Sequence, residues 1–139
     1  MKLGSFGEII SFALELEGKA LAYYESLNHA VLSQPGHQLQ KGSQKRLNRL
    51  RRIRQEMVTE MILEPITGVD SDDYVVSIPE ASDSVNVFQH VICFEENMCR
   101  FYSKTAAVIP MKEVERAFLR LAKENEIRVL DIKTILDEN

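Results

Sequence analysis

The strongest constraint on this chain is a spacing that recurs four times: apolar residues at alternating steps of three and four, interrupted midway by polar ones. Ile10, Ala13, Glu17, Ala20, Tyr24 and Leu27 form the first series, and Leu47, Leu50, Arg54, Met57 and Met61 the second. Phe88, Val91, Glu95, Met98, Tyr102, Thr105 and Ile109 form the third, and Val114, Phe118, Leu121, Asn125, Arg128, Ile132 and Ile135 the fourth. Steps of three and four bring residues onto one face of a helix. The sequence therefore predicts four amphipathic helices that bury their stripes against one another. With 139 residues, 45% of them hydrophobic, there is material for one such core and not for two. Residues 1–139 are read as one all-α domain.

Local signals set the expected boundaries. Ser5-Phe6-Gly7-Glu8 has the form of a capping box, in which a serine oxygen and a glutamate carboxylate satisfy the free amides of a helix start. Gln34-Pro35-Gly36 and the polar run around it predict a loop from Ser33 to Gly42. The second helix is expected to end near Pro65 to Gly68. Asp70, Asp72, Asp73, Pro79 and Ser82 make Thr67 to Asp83 the longest connection, with a strand-like Tyr74-Val75-Val76 inside it. The third helix should stop before Pro110, because proline disfavours helix at the residue before it. Two short connections around a long one suit two antiparallel hairpins, joined by a crossover along the bundle. Leu16-Glu17 followed by Tyr23-Tyr24 is echoed by Phe94-Glu95 followed by Phe101-Tyr102, which suggests an internal duplication with a pseudo-twofold axis.

A net charge of −4 gives no global grip on nucleic acid or an anionic membrane. No apolar run approaches the roughly 18 residues of a membrane span, so a cytoplasmic protein is expected. Lys41, Lys45, Arg46, Arg49, Arg51 and Arg52 form a basic stretch without interleaved aromatics, and read as a solvated face rather than a nucleic-acid surface. Asp70-Ser71-Asp72-Asp73 reads as a turn, since the ligand series of a calcium loop is absent. Cys93 and Cys99, six apart on a helix, diverge too far to bridge and are expected as reduced structural thiols. Gly18 costs the first helix about 1 kcal/mol relative to alanine, which suggests a close helix approach. Ile9, Leu16, Phe94 and Phe101 lie outside the inner stripes, so a homo-oligomer, most simply a twofold dimer, is expected to cover them.

A carboxylate-bridged di-iron site in a four-helix bundle takes one Glu from each of two helices and a Glu-x-x-His pair from each of the other two. Glu17-x-x-Ala20-x-x-x-Tyr24 and Glu95-x-x-Met98-x-x-x-Tyr102 resemble the first and third helices of rubrerythrin-type proteins of the ferritin-like superfamily. Phe118-x-x-Leu121-Ala122-x-x-Asn125-x-x-Arg128 resembles the fourth. The resemblance implies a ferritin-like four-helix bundle, but the ligand pattern is broken. Asn125 replaces the Glu and Arg128 the His, and aligning Leu47-x-x-Leu50 on the same apolar lead gives Arg54 and Met57 in the second helix. His29, His37 and His90 fall outside the predicted second and fourth helices.

Glu17, Arg54, Met57, Glu95, Asn125 and Arg128 are therefore expected as a polar cluster at a former di-iron site, with Tyr24 and Tyr102 behind it. Two arginines would balance two carboxylates through their fork of donors. The expected function is non-catalytic: a binding, assembly or regulatory bundle with no catalytic residue, metal or cofactor. The alternative is an iron or manganese oxidoreductase acting on peroxide or oxygen, with metal on Glu17, Glu95 and rearranged acids such as Glu15, Glu56, Glu96 or Glu124.

Overall fold

The computed structural model of the chain describes residues 1–27, 33–56, 65–77 and 84–138. They form four helices, α1 (Phe6–Ser26), α2 (Ser33–Glu56), α3 (Ser84–Val108) and α4 (Lys112–Glu138), with one turn of 3-10 helix at Ser71–Tyr74. α1 packs chiefly on α2 and α3 chiefly on α4, with lighter contact between α1 and α3 and between α2 and α4. This is the all-α bundle of two hairpins that the four stripes predict. No helix among the described residues is long and apolar enough to cross a membrane.

Side-chain contacts fix the helix directions. Glu17 meets α2 at Ser43 and Arg46, whereas Tyr24, further along α1, meets it earlier, at Gln40, so α1 and α2 are antiparallel. Phe12 packs on Phe101 and Tyr23 on Phe94, which makes α1 and α3 antiparallel as well. Tyr102 against Phe118 and Glu95 against Asn125 do the same for α3 and α4.

α1 begins where its capping box places it. The Glu8 amide donates to Ser5 Oγ at 3.1 Å, and the Glu8 carboxylate reaches back to the Gly4 amide at 3.2 Å, so two of the orphan donors at this end are satisfied. α3 ends at Val108, ahead of Pro110 as predicted.

The start of α2 corrects the sequence reading. The stretch from Ser33 to Gly42, predicted as a loop, is helical from Ser33. Pro35 is tolerated there because amides of a first helical turn have no intrahelical partner to lose. The buried face of α2 runs through Leu39, Ser43, Arg46, Leu47, Leu50 and Ile53. From Leu50 the stripe steps by three to Ile53 and not by four to Arg54, which is exposed. An isoleucine enters the core at far lower cost than a guanidinium without a partner. Met57 and Met61 lie outside the described residues.

In the second connection, the strand-like Tyr74-Val75-Val76 is not a strand. Asp70 caps the 3-10 turn by accepting from the Asp72 amide at 3.0 Å, and Tyr74 ends that turn, with its carbonyl accepting from Asn97 Nδ2 at 2.7 Å. The backbone pairs elsewhere: Leu3 N–H donates to Val69 at 2.9 Å and Ile66 N–H to Gly4 at 3.0 Å, which ties the segment before α1 to the connection. Pro79 and Ser82 lie outside the described residues.

Two smaller readings change, and the unbridged cysteines stand as expected. A β-carbon on Gly18 would meet nothing within 4 Å, so no close helix approach requires glycine there. Ile9, Leu16, Phe94 and Phe101, expected outside the core, are all buried by this chain itself. Both cysteines are free, Cys93 exposed and Cys99 half-buried.

The internal echo extends further than Glu17-Tyr24 and Glu95-Tyr102. The inward faces of α2 and α4 match position by position: Leu39 with Phe118, Ser43 with Ala122, Arg46 with Asn125, Leu50 with Val129, and Ile53 with Ile132, every one buried. Both halves carry the same spacing of core positions, and Arg46 stands where the second half has Asn125.

Candidate functional site

The centre of the bundle holds a hydrogen-bonded cluster drawn from all four helices. Glu17 on α1 and Glu95 on α3 are both fully buried, and the helices cross-link through them. Tyr24 Oη donates to Glu95 Oε2 at 2.7 Å, and Tyr102 Oη donates to Glu17 Oε1 at 2.8 Å. This exchange is what the shared Glu-to-Tyr spacing produces when two such helices lie antiparallel. Edge-on ring contacts of Phe12 with Phe101 and of Tyr102 with Phe118 pack in the same core.

Arg46 on α2 lies between the carboxylates. Its Nε donates to Glu17 Oε1 at 2.7 Å and its Nη2 to Glu95 Oε2 at 3.1 Å, from a side chain 3% exposed. Ser43 Oγ donates to Glu17 Oε2 at 3.1 Å, and Asn125 Nδ2 on α4 donates to Glu95 Oε1 at 3.3 Å. Each carboxylate thus has a tyrosine, the arginine and one small polar side chain. Asn125 Oδ1 is buried and has no hydrogen-bond partner among the described residues.

One guanidinium serves two carboxylates, which sets the electrostatics. Burial pushes the Glu17 carboxyl above its ordinary range; Arg46 opposes the shift and the nearby Glu95 charge adds to it. Burial works against the charge on Arg46, but Glu17 and Glu95 together outweigh it and hold the guanidinium firmly protonated. Burial, reinforced by the carboxylate each one faces, drives Tyr24 and Tyr102 well above the usual phenol range, so both remain hydrogen-bond donors.

Of the predicted cluster, the structure brings together Glu17, Glu95, Asn125, Tyr24 and Tyr102. Arg54 is exposed on α2 and contributes nothing to it, Met57 lies outside the described residues, and Arg46 supplies the cation. Arg128 is also displaced: its side chain is 24% exposed at the rim, and its Nη1 lies 3.6 Å from Asp131 on its own helix. A step of four from Asn125, one residue further along α4, buries Val129 in its place.

The acids considered for a rearranged metal site do not converge. Glu15 pairs with Lys19 at the surface, Glu56 and Glu96 are exposed, and Glu124 accepts from Arg49 at 2.7 Å. Among the described residues, no group of three or more His, Cys, Asp and Glu side chains is placed to hold a metal ion. His37 falls within α2, contrary to the sequence reading, but is exposed near its start.

One signal in the sequence could have found Arg46. Leu39-x-x-Gly42-Ser43-x-x-Arg46-x-x-Arg49 repeats the spacing of Phe118-x-x-Leu121-Ala122-x-x-Asn125-x-x-Arg128. It begins inside the stretch read as a loop, which hid it. No family model matches the chain, and neither a curated protein nor a solved structure gives a match.

Proposed function

We propose that this chain is a ferritin-like bundle of the rubrerythrin type in which a guanidinium has taken over the metal centre. On this reading it acts as a non-catalytic binding, assembly or regulatory protein. The observation that carries the reading is the position of Arg46, whose Nε and Nη2 donate to Glu17 Oε1 and Glu95 Oε2.

The residues present do not fit a pair of iron or manganese ions. The carboxylate lone pairs that would bind metal are occupied by arginine, tyrosine, serine and asparagine donors, and the guanidinium is a fixed positive charge that repels a divalent ion. The two positions that follow the Glu-x-x-His spacing in α2 hold Arg46 and Arg49, and those in α4 hold Asn125 and Arg128, so imidazole nitrogen is missing from both. What remains is a satisfied polar core that fixes how four helices register, a role that buried polar groups fill in other helical assemblies.

The test is metal analysis of protein produced with iron and manganese supplied. The proposal expects metal far below one equivalent per chain. Stoichiometric metal that disappears in the Glu17→Ala, Glu95→Ala double variant would overturn it in favour of the oxidoreductase.

A further inference from the structure

The basic stretch of the sequence has a second face. Where α2 passes α4, a cavity of about 430 Å³ opens beside Gly42, within the size range of small-molecule sites. Lys41, Lys45, Arg46 and Arg128 line it, and Glu124 is the one carboxylate among its described lining residues. That carboxylate is already engaged, accepting from Arg49 at 2.7 Å. The walls therefore carry an excess of positive charge although the chain as a whole is acidic.

Two features make this a built site rather than a charged surface. Gly42 leaves a gap: a β-carbon there would sit 3.4 Å from Arg128 Nη2 and 3.7 Å from Arg46 Nη1. Two guanidinium groups thus flank one empty position, an arrangement that repels itself until an anion lies between them. Arg46 is also held rigid. Its Nε and Nη2 are fixed by the buried carboxylates, which leaves Nη1 as the edge directed at the gap, with its orientation set before any ligand arrives.

The pseudo-twofold shows what is missing. Arg49 and Arg128 occupy equivalent places and are equally exposed, at 24%. Arg49 reaches across to Glu124, but the residue at the matching position in the other half is Lys45, so Arg128 shares its cavity with a cation where its counterpart is paired with an acid. Its ion pair is instead the long one to Asp131, one turn along its own helix.

We propose that the Gly42 cavity binds a phosphate group, free or as the head of a small molecule, between Arg46 Nη1 and Arg128, with Lys41 and Lys45 at the mouth. Arg128 can pair a guanidinium edge with two phosphate oxygens, Arg46 adds the single Nη1 donor its carboxylate bonds leave free, and the lysines add charge without demanding geometry. The site is an open recess with no aromatic side chain among its described lining residues, so it lacks the stacking platform a single-stranded nucleic acid would use. This inference stands on its own whether or not the bundle centre was once a metal site.

The experiment compares thermal unfolding and calorimetric titration in inorganic phosphate with the same ionic strength of chloride. Saturable stabilisation by phosphate is expected. Arg128→Gln should weaken binding about 10-fold or more, the scale of one charge-assisted hydrogen bond. Gly42→Leu should fill the recess and abolish the phosphate effect, while the protein in chloride melts no lower than the parent. Phenyl phosphate run beside inorganic phosphate separates the sources: tighter binding of the ester assigns an esterified ligand, equal binding the free ion. No difference between phosphate and chloride, or full phosphate affinity in Gly42→Leu, would overturn the site. So would an oligonucleotide that binds more tightly than phosphate and is unaffected by Gly42→Leu, which would assign the basic face to nucleic acid.

Discussion

α1 and α3 place the same residues in the same roles. Glu17 and Glu95 are both fully buried, and each accepts the hydroxyl of the other helix's tyrosine. α2 and α4 share an apolar framework but part company in charge, with Arg46 against Asn125 and Lys45 against Glu124. One half of the pseudo-twofold relation is thus a matched pair of acids, and the other supplies a single cation to both. The difference teaches that two helix pairs of matched spacing can hold one polar centre with unlike charges. A buried carboxylate on one helix is tolerable only while something across the core answers it, and one guanidinium reaching two acids can do so without a second. Two acids share that one cation, and burial raises the Glu17 carboxyl above its ordinary range.

Breaking the asymmetric half should have the largest effect. Arg46→Met leaves two buried carboxylates without their cation, and a loss of about 3–5 kcal/mol is expected from denaturant unfolding. If Arg46→Met cost no more than an exposed substitution such as Arg54→Met, the guanidinium would not be the element that holds the centre.

The matched half should respond symmetrically. Tyr24→Phe and Tyr102→Phe each remove one hydrogen bond to a carboxylate, and each should cost about 1.5–3 kcal/mol. Costs that differ by more than about 1 kcal/mol, the usual scatter of such bonds, would show that the two halves are not equivalent in energy despite their geometry.

A pH series sharpens the point about Glu17. Its carboxyl is raised in the folded protein, so between its ordinary 4.5 and the folded value the native chain holds a proton that the unfolded chain has lost. Stability from this group is full below 4.5 and falls as pH rises through that window. The slope of one proton is at most about 1.4 kcal/mol per pH unit. Glu17→Gln should flatten it, and an unchanged slope in that variant would assign the proton to another group.

The smallest effects belong to the rim. Arg49→Gln gives up its 2.7 Å pair with Glu124 and should cost about 0.2–1 kcal/mol, whereas Arg128→Gln gives up only the longer pair with Asp131 at 3.6 Å and should cost less. A larger loss for Arg128→Gln, measured in the same unfolding series, would contradict the contrast between the two ends.

Much of this was legible in the sequence. Steps of three and four give the four helices, and mid-stripe acids in α1 and α3, each with a tyrosine one heptad later, give Glu17, Glu95, Tyr24 and Tyr102 their places. Asn125 is legible for the same reason. Arg46 was not, because its helix opens with Gln34-Pro35-Gly36 and carries one apolar residue, Leu39, before Gly42, a composition that local propensity assigns to a loop. Tertiary packing overrides it: Leu39 is buried, and Ser43 just beyond the stretch donates to Glu17 on α1. Losing that turn of helix shifted the apparent stripe toward Arg54. Charge balance argued for two buried arginines, and the fold meets the need with one, because a guanidinium fork can span two acids that lie opposite each other.

On the proposed reading, Arg46 and Asn125, with Arg49 and Arg128 one turn on, occupy the places of the two Glu-x-x-His pairs. The direct measurement is metal uptake by the folded variant Arg46→Glu, Arg49→His, Asn125→Glu, Arg128→His, beside the parent, by equilibrium dialysis against ferrous or manganous ion. The account predicts about two equivalents per chain in the variant, the number such a carboxylate-bridged site holds, and none in the parent. A folded variant that takes up no metal would contradict it.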